Sequence, residues 1–221
     1  MEIRSRNVPL RPGKSVFLIV DVQNYCCLKE GGEYRGMTPE QFKQYDYYFQ
    51  QLTSTVLPNI KKLQTAFRNN HMEVMFTVIE SLTQDGRDRG LDYKITGFNV
   101  PRGSDDAKVI RDIQPLNDEM VIPKTSSSVF NSTNIDYILR NLNCRHLVLC
   151  GVLTDQCIES AVRDACDLNY LVTLVPDACT TLTDERHASS LSTIKGYCRQ
   201  VNTDDLIDEI DLTARRRKNN D

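Results

Sequence analysis

The sequence predicts an α/β protein, a three-layer doubly wound parallel sheet with helices on both faces, and three observations carry that prediction. Apolar runs of strand length recur at Val16–Val20, Val74–Val78, Leu147–Cys150 and Leu171–Val175, each rich in β-branched residues. They are too continuous to have one exposed face, which suits strands buried on both sides. Segments with helical spacing separate them, and strand–helix alternation is the pattern of a parallel sheet crossed by helices.

Taken in order, Val16–Val20 opens the sheet and ends at Asp21. Tyr48–Asn69 has helical spacing and leads to Val74–Val78, after which comes Glu80. Ala107–Arg111 is expected to form a short helix and Met120–Ile122 a short fifth strand, followed by Pro123 and Lys124. Ile135–Leu142 reads as helix, Leu147–Cys150 as the strand before Gly151–Cys157, and Ile158–Leu168 as the next helix. Leu171–Val175 leads to Pro176-Asp177, and Asp184–Tyr197 is again helical. No Gly/Pro/Ser-rich linker interrupts the 221 residues, so one domain is expected over 1–221, with a core at about 14–200 and a basic tail at 214–221.

A formal net charge of −3, with 26% charged and 40% hydrophobic residues, is ordinary for a globular protein and points to neither nucleic acid nor a membrane surface. The basic tail Ala214-Arg-Arg-Arg-Lys218 lacks an aromatic platform and reads as solvated. No apolar run reaches the roughly 18 residues of a membrane span, and the charged start MEIRSRNVPLRPGKS lacks a signal-peptide core, so a cytoplasmic location is expected. The eight cysteines contain no CxxC pair, which indicates neither a zinc ribbon nor a dithiol redox site. Most are expected to be free thiols acting as small hydrophobes.

Ligands of open parallel sheets bind beyond the carboxyl ends of the strands. Asp21, Glu80, Lys124, Gly151–Cys157 and Asp177 follow strands there, so an acid, a base and a thiol are expected to gather at one edge. A thiol attacks a carbonyl as thiolate, and three features would favour that form at Cys157: a helix start, the charge of Lys124, and Asp21 as proton acceptor. Backbone N–H groups at the same helix start would hold an oxyanion. The competing reading of Cys157 is one more packed thiol.

The segments Leu18-Ile-Val-Asp21-Val-Gln23-Asn24, Pro123-Lys124-Thr-Ser-Ser-Ser128-Val-Phe130-Asn-Ser-Thr133, Gly151-Val-Leu-Thr-Asp-Gln-Cys157 and Val175-Pro-Asp177-Ala178 resemble, in this order, the signature blocks of the isochorismatase-like cysteine hydrolases. The resemblance implies an Asp21-Lys124-Cys157 triad, a cis peptide between Val152 and Leu153, and an oxyanion hole from the Leu153 and Cys157 N–H groups. It also implies a homodimer or homotetramer. Family members that cleave a vinyl ether typically lack the cysteine, so its presence points to an amidase. Nicotinamidases of the family bind a metal through an Asp-x-His element and a further histidine. His71, His146 and His187 form no such element, so no metal and no cofactor are expected.

The loop Glu80-Ser-Leu-Thr-Gln-Asp-Gly-Arg87-Asp-Arg89-Gly-Leu-Asp-Tyr93-Lys94 resembles that of ureide-cleaving members such as ureidoacrylate, biuret and triuret amidohydrolases. Asn24, Glu80 and Arg87 are the expected substrate contacts, Arg87 forking onto a carboxylate or ureido oxygen. In the alternative, Asp85, Asp88 and Asp92 neutralise the basic residues of a solvated loop. Glu30-Gly-Gly-Glu33-Tyr-Arg matches no specificity group, and Tyr45-Asp-Tyr-Tyr-Phe49 reads as packing, including against a second subunit.

The leading expectation is a metal-independent cysteine amidohydrolase acting on a small linear ureide or carbamoyl compound through a thioester. The alternatives are a nicotinamidase-like carboxamide hydrolase, a non-catalytic binding member, and a redox thiol protein. The last needs a partner for Cys157, and Cys166, nine positions on, would face the other side of the helix.

Overall fold

A computed structural model describes residues 5–218, organised by one wholly parallel sheet of six strands. These are β1 (Ser15–Val20), β2 (Glu73–Ile79), β3 (Met120–Lys124), β4 (His146–Val152), β5 (Leu171–Thr180) and β6 (Arg199–Gln200), in the order β3-β2-β1-β4-β5-β6. The helices are α1 (Asn24–Cys27), α2 (Pro39–Phe42), α3 (Asp46–Gln51), α4 (Leu57–Asn69), α5 (Leu91–Thr96), α6 (Val129–Ser132), α7 (Ile135–Asn141), α8 (Glu159–Asp167), α9 (Asp184–Ile194) and α10 (Thr203–Lys218).

The chain winds outward from β1 to β3, returns to lay β4 beside β1, and winds the other way to β6. Because such crossovers are right-handed, the two halves place their helices on opposite faces. The α3–α4 run packs against β1, β2 and β5 together with α10, while α8 covers β5 from the other half. Both central strands, β1 and β4, are buried along their whole length, which explains why neither shows polar alternation. Ile60, Leu63 and Phe67 recur at helical spacing on α4 and are fully buried. Each contributes roughly 1.5–3 kcal/mol of hydrophobic stabilisation. Pro123 is tolerated in β3 because that strand is at the sheet edge and pairs only with β2.

The reversal of winding direction opens a crevice between the carboxyl ends of β1 and β4. Gly151 makes their close approach possible. It pairs with Val20 at φ +123°, and a Cβ there would lie 2.1 Å from the Val20 carbonyl oxygen.

Two expectations are corrected. Residues 107–111 are not a helix: Ala107 closes one 3₁₀ turn, Asp105–Ala107, Arg111 opens another, Arg111–Ile113, and residues 108–110 between them are extended. The Asn24 N–H donates to the Lys108 carbonyl at 2.9 Å and the Ile110 N–H to the Val22 carbonyl at 3.2 Å, so pairing with another segment overrides local spacing. The Tyr48–Asn69 helix is interrupted by a π turn at Leu52–Val56, just before Pro58, whose missing N–H and bulky ring an uninterrupted α-helix accommodates poorly. At the C-terminal end α10 continues through Lys218, anchored upstream by buried Leu206 and Ile210 at i, i+4. Residues 219–221 lie outside the described residues.

Candidate active site

Asp21 follows β1 at φ 58°, a left-handed conformation that aspartate adopts more readily than most residues. Its backbone is fixed on both sides: the N–H donates to the Thr77 carbonyl at 3.1 Å, and its carbonyl accepts from the Gln23 N–H at 2.9 Å and the Cys26 thiol at 3.2 Å. Buried Gln23 ties this turn to β2, donating to the Ile79 carbonyl at 2.9 Å and accepting from the Ile79 N–H at 2.6 Å. The Asp21 side chain is then held by Thr77, whose hydroxyl donates to Oδ1 at 2.7 Å. Thr77 is the one hydroxyl in the run Val74–Val78, a signal the sequence offered and the apolar reading passed over.

Lys124 ends β3 with its side chain wholly buried. Its Nζ lies 2.8 Å from Asp21 Oδ2, donates to the Ser126 carbonyl at 2.9 Å, and stands 3.3 Å from Cys157 Sγ and 3.5 Å from the Tyr93 hydroxyl. The ammonium meets Oδ2 off the line of a straight hydrogen bond, and that oxygen has no hydrogen-bond donor among the described residues. It therefore keeps acceptor capacity toward the cavity. Burial alone would pull the Lys124 ammonium down, but the acidic groups around it, Asp21 first and then the Cys157 thiol, outweigh that and hold it above its ordinary range.

Cys157 sits in a π turn, Thr154–Ile158, that precedes α8, one turn further into the helical run than the spacing predicts. Burial pushes its thiol up to about 12; Lys124 opposes that shift, and the Asp21 carboxylate adds to it. One ammonium faces two acidic groups, so the resting arrangement is an ionised Asp21–Lys124 pair beside a protonated thiol. The Val152–Leu153 peptide is cis. Among the described residues the Leu153 N–H has no acceptor, whereas its carbonyl accepts from the Gln156 and Ile158 N–H groups at 3.1 and 3.3 Å.

These groups meet in a cavity of about 510 Å³ whose lining includes Asp21, Cys26, Glu33, Tyr45, Tyr93 and Cys157. Of the residues expected to contact substrate, none lines it. The Asn24 side chain donates to the Asp105 carbonyl at 2.9 Å, Glu80 accepts from the Gly103 N–H at 2.7 Å, and exposed Arg87 pairs with Asp85 at 3.0 Å. The 80–94 loop is knit internally: Asp88 accepts from the Leu82 and Thr83 N–H groups at 2.8 and 3.2 Å, and Arg89 donates to the Phe98 carbonyl at 2.7 Å. Its contribution to the cavity is instead Asp92 and Tyr93. Glu33 and Tyr45 also line it, though the sequence left the first unplaced and suggested only packing for the second.

His146 is buried, its Nε2 2.8 Å from the Thr173 hydroxyl, and His187 Nδ1 is 2.9 Å from the Thr154 hydroxyl. Among the described residues no three His, Cys, Asp or Glu side chains are grouped as a metal site, and all eight cysteines are free thiols. No helix there is long and apolar enough to cross a membrane.

A family model described as the Isochorismatase domain matches residues 15–205. Among curated proteins, the chain is similar to the ureidoacrylate amidohydrolase RutB of Rhizobium rhizogenes, 29% identical over 119 residues covering 49% of this chain and 48% of that protein. RutB of Agrobacterium fabrum is 35% identical over 85 residues, 38% of this chain and 37% of that protein. The match thus spans about half or less of these relatives' length. Among solved structures, a cysteine hydrolase from Pseudomonas syringae pv. phaseolicola has the same fold, with TM-score 0.80, 23% identity, and 94% of this chain and 97% of that one covered. The N-carbamoylsarcosine amidase of Thermoplasma acidophilum gives a TM-score of 0.65 at 26% identity, covering 86% of this chain and 97% of that one.

Proposed function

The chain belongs to the isochorismatase family, and on that premise we propose that it is a metal-independent cysteine amidohydrolase that cleaves a C–N bond of a small ureide or carbamoyl compound. One observation carries the reading: Asp21 Oδ2 and Cys157 Sγ, from two separate strand ends, lie 2.8 and 3.3 Å from the ammonium of Lys124, which ends a third strand, and both line one cavity. The similarity to proteins named for ureidoacrylate and N-carbamoylsarcosine supports the choice of substrate class.

In the proposed reaction a substrate carbonyl sits against Cys157 with its oxygen toward the Leu153 and Cys157 N–H groups. As Sγ attacks, its proton passes to Asp21 Oδ2, and the negative charge passes from carboxylate through sulfur to the carbonyl oxygen, which the Leu153 and Cys157 N–H groups receive. The Lys124 ammonium stabilises the charge while it is on the carboxylate and on the attacking sulfur, without moving. The C–S bond forms, the C–N bond breaks, and Asp21 returns the proton to the departing nitrogen. Water then hydrolyses the thioester, Asp21 taking its proton and Cys157 recovering its own. A thiol with a raised pKa fits this sequence, because the proton leaves during attack and no standing thiolate is needed.

The test is ammonia release from ureidoacrylate, biuret, triuret, N-carbamoyl amino acids and nicotinamide, with Cys157→Ala beside wild type. The expectation is turnover of at least one ureide or carbamoyl compound and none by the folded variant. Equal activity of Cys157→Ala would make the cysteine a packed thiol, and turnover of nicotinamide alone would move the assignment to a carboxamide hydrolase.

A further inference from the structure

Resting on the reading just given, we propose that the cavity selects substrates bearing a cationic or N–H-donating group and rejects those bearing a carboxylate. The ionisable carboxyls lining the cavity are Asp21, Glu33 and Asp92, and no Arg, Lys or His lines it among the described residues. Lys124 is already committed to Asp21 and to the Ser126 carbonyl. A substrate carboxylate would lose its water and find no counter-charge in the lining.

Glu33 is the centre of this selection. Its backbone is pinned on both sides. Before it, Gly31 and Gly32 let the chain press against α1, where a Cβ on Gly31 would lie 2.2 Å from the Tyr25 carbonyl oxygen. After it, buried Tyr34 donates from its hydroxyl to the Cys26 carbonyl at 2.7 Å and packs edge-on against Phe42, Tyr45 and Phe49. Arg35, the nearest cation in sequence, is turned to Asp106 at 3.0 Å, and the Lys29 ammonium lies over the Phe42 and Phe49 rings. Glu33 itself makes no hydrogen bond or ion pair among the described residues. Burial pushes its carboxyl up to about 7, with no cation to offset it.

Aromatic faces complete the environment. Tyr45, Tyr93 and Phe98 share the lining with Glu33, and Asp92 stands exposed among the lining residues. Carboxylates combined with aromatic rings attract an ammonium, amidine or cluster of N–H donors. The compounds naming RutB and the carbamoylsarcosine amidase each carry a carboxylate. This cavity offers that group no counter-ion, so the substrate of this chain differs from both at the end away from the scissile carbonyl.

Three ureas differing only in that end form the first test: N-carbamoylglycine (anionic), N-carbamoylglycinamide (neutral) and 2-aminoethylurea (cationic). The expected kcat/KM favours the neutral and cationic compounds over the anion by about 100-fold, the scale of an unmatched charge in a closed site. Glu33→Gln is expected to raise KM for the cation about tenfold, and Asp92→Asn to do so more weakly. A preference for N-carbamoylglycine overturns the proposal.

A second test needs no turnover. Rates of Cys157 modification by 2-aminoethyl and 2-sulfonatoethyl methanethiosulfonate are compared on intact protein, with peptide mapping to separate Cys157 from Cys26. The cation-to-anion ratio, normalised to N-acetylcysteine, is expected to be about tenfold or more and to fall in Glu33→Gln. A ratio near one overturns the proposal. If the ratio holds while none of the ureas turns over, the amidohydrolase reading fails and the charge selection stands.

Discussion

Replacing Lys124 by Met tests the electrostatic centre of the site. The side chains of Lys124 and Asp21 are 0% and 2% exposed, and their charged atoms are 2.8 Å apart. Met matches much of the lysine stem but leaves the carboxylate facing only the Thr77 hydroxyl and the cavity. Breaking one side of a buried ion pair costs about 3–5 kcal/mol, because the remaining charge is desolvated without a counter-charge. For a chain of 221 residues, at about 2–4 °C per kcal/mol, that is a loss of about 6–20 °C in Tm. Asp21→Asn strands the ammonium instead and belongs in the same range. The double variant Asp21→Asn/Lys124→Met has no unpaired charge, so it should be more stable than either single one, with a coupling energy of about 3 kcal/mol. Thermal unfolding of the four proteins at pH 7 measures this. If the double variant loses the sum of the single losses, the pair is not the coupled unit described here.

Three further outcomes follow from the structure. Gly151→Ala, at φ +123° and with its new Cβ 2.1 Å from the Val20 carbonyl oxygen, should cost about 3 kcal/mol or more and force β1 and β4 apart; unchanged Tm and activity would contradict that geometry. Burial, and then the nearby Arg199, lowers His146 to about 4 from its ordinary 6.5. A depressed histidine stabilises the fold above pH 6.5, and that stability is lost as pH falls toward 4. The loss is about 3 kcal/mol at most, and urea unfolding should show a shallower acid limb in His146→Gln; an unchanged limb would exclude His146 as its source. Arg87→Ala removes an exposed side chain paired only with Asp85, so both Tm and KM should stay close to wild type; a large rise in KM would return Arg87 to the substrate.

Sequence alone determined where β1 to β5 lie, although β5 continues through Pro176-Asp177 to Thr180. Continuous β-branched runs are buried on both faces wherever they lie in a parallel sheet, so Val16–Val20 and Leu147–Cys150 were legible without knowing their neighbours. Asp21, Lys124 and Cys157 were legible because they follow strands and fall in the ordered blocks resembling one family. Tertiary structure alone decided the rest, since proximity across the sheet leaves no periodic trace. The two-residue β6 is too short for a pattern, and residues 108–110 take extended form because residues 22–24 supply hydrogen-bond partners more than eighty positions away. The cavity wall shows the same division. Arg87 and Glu33 are both charged residues in glycine-marked loops. Which one lines the cavity depends on where each loop packs: the 80–94 loop closes on its own carboxylates and carbonyls, while Tyr34, anchored on Cys26, holds Glu33 at the cavity.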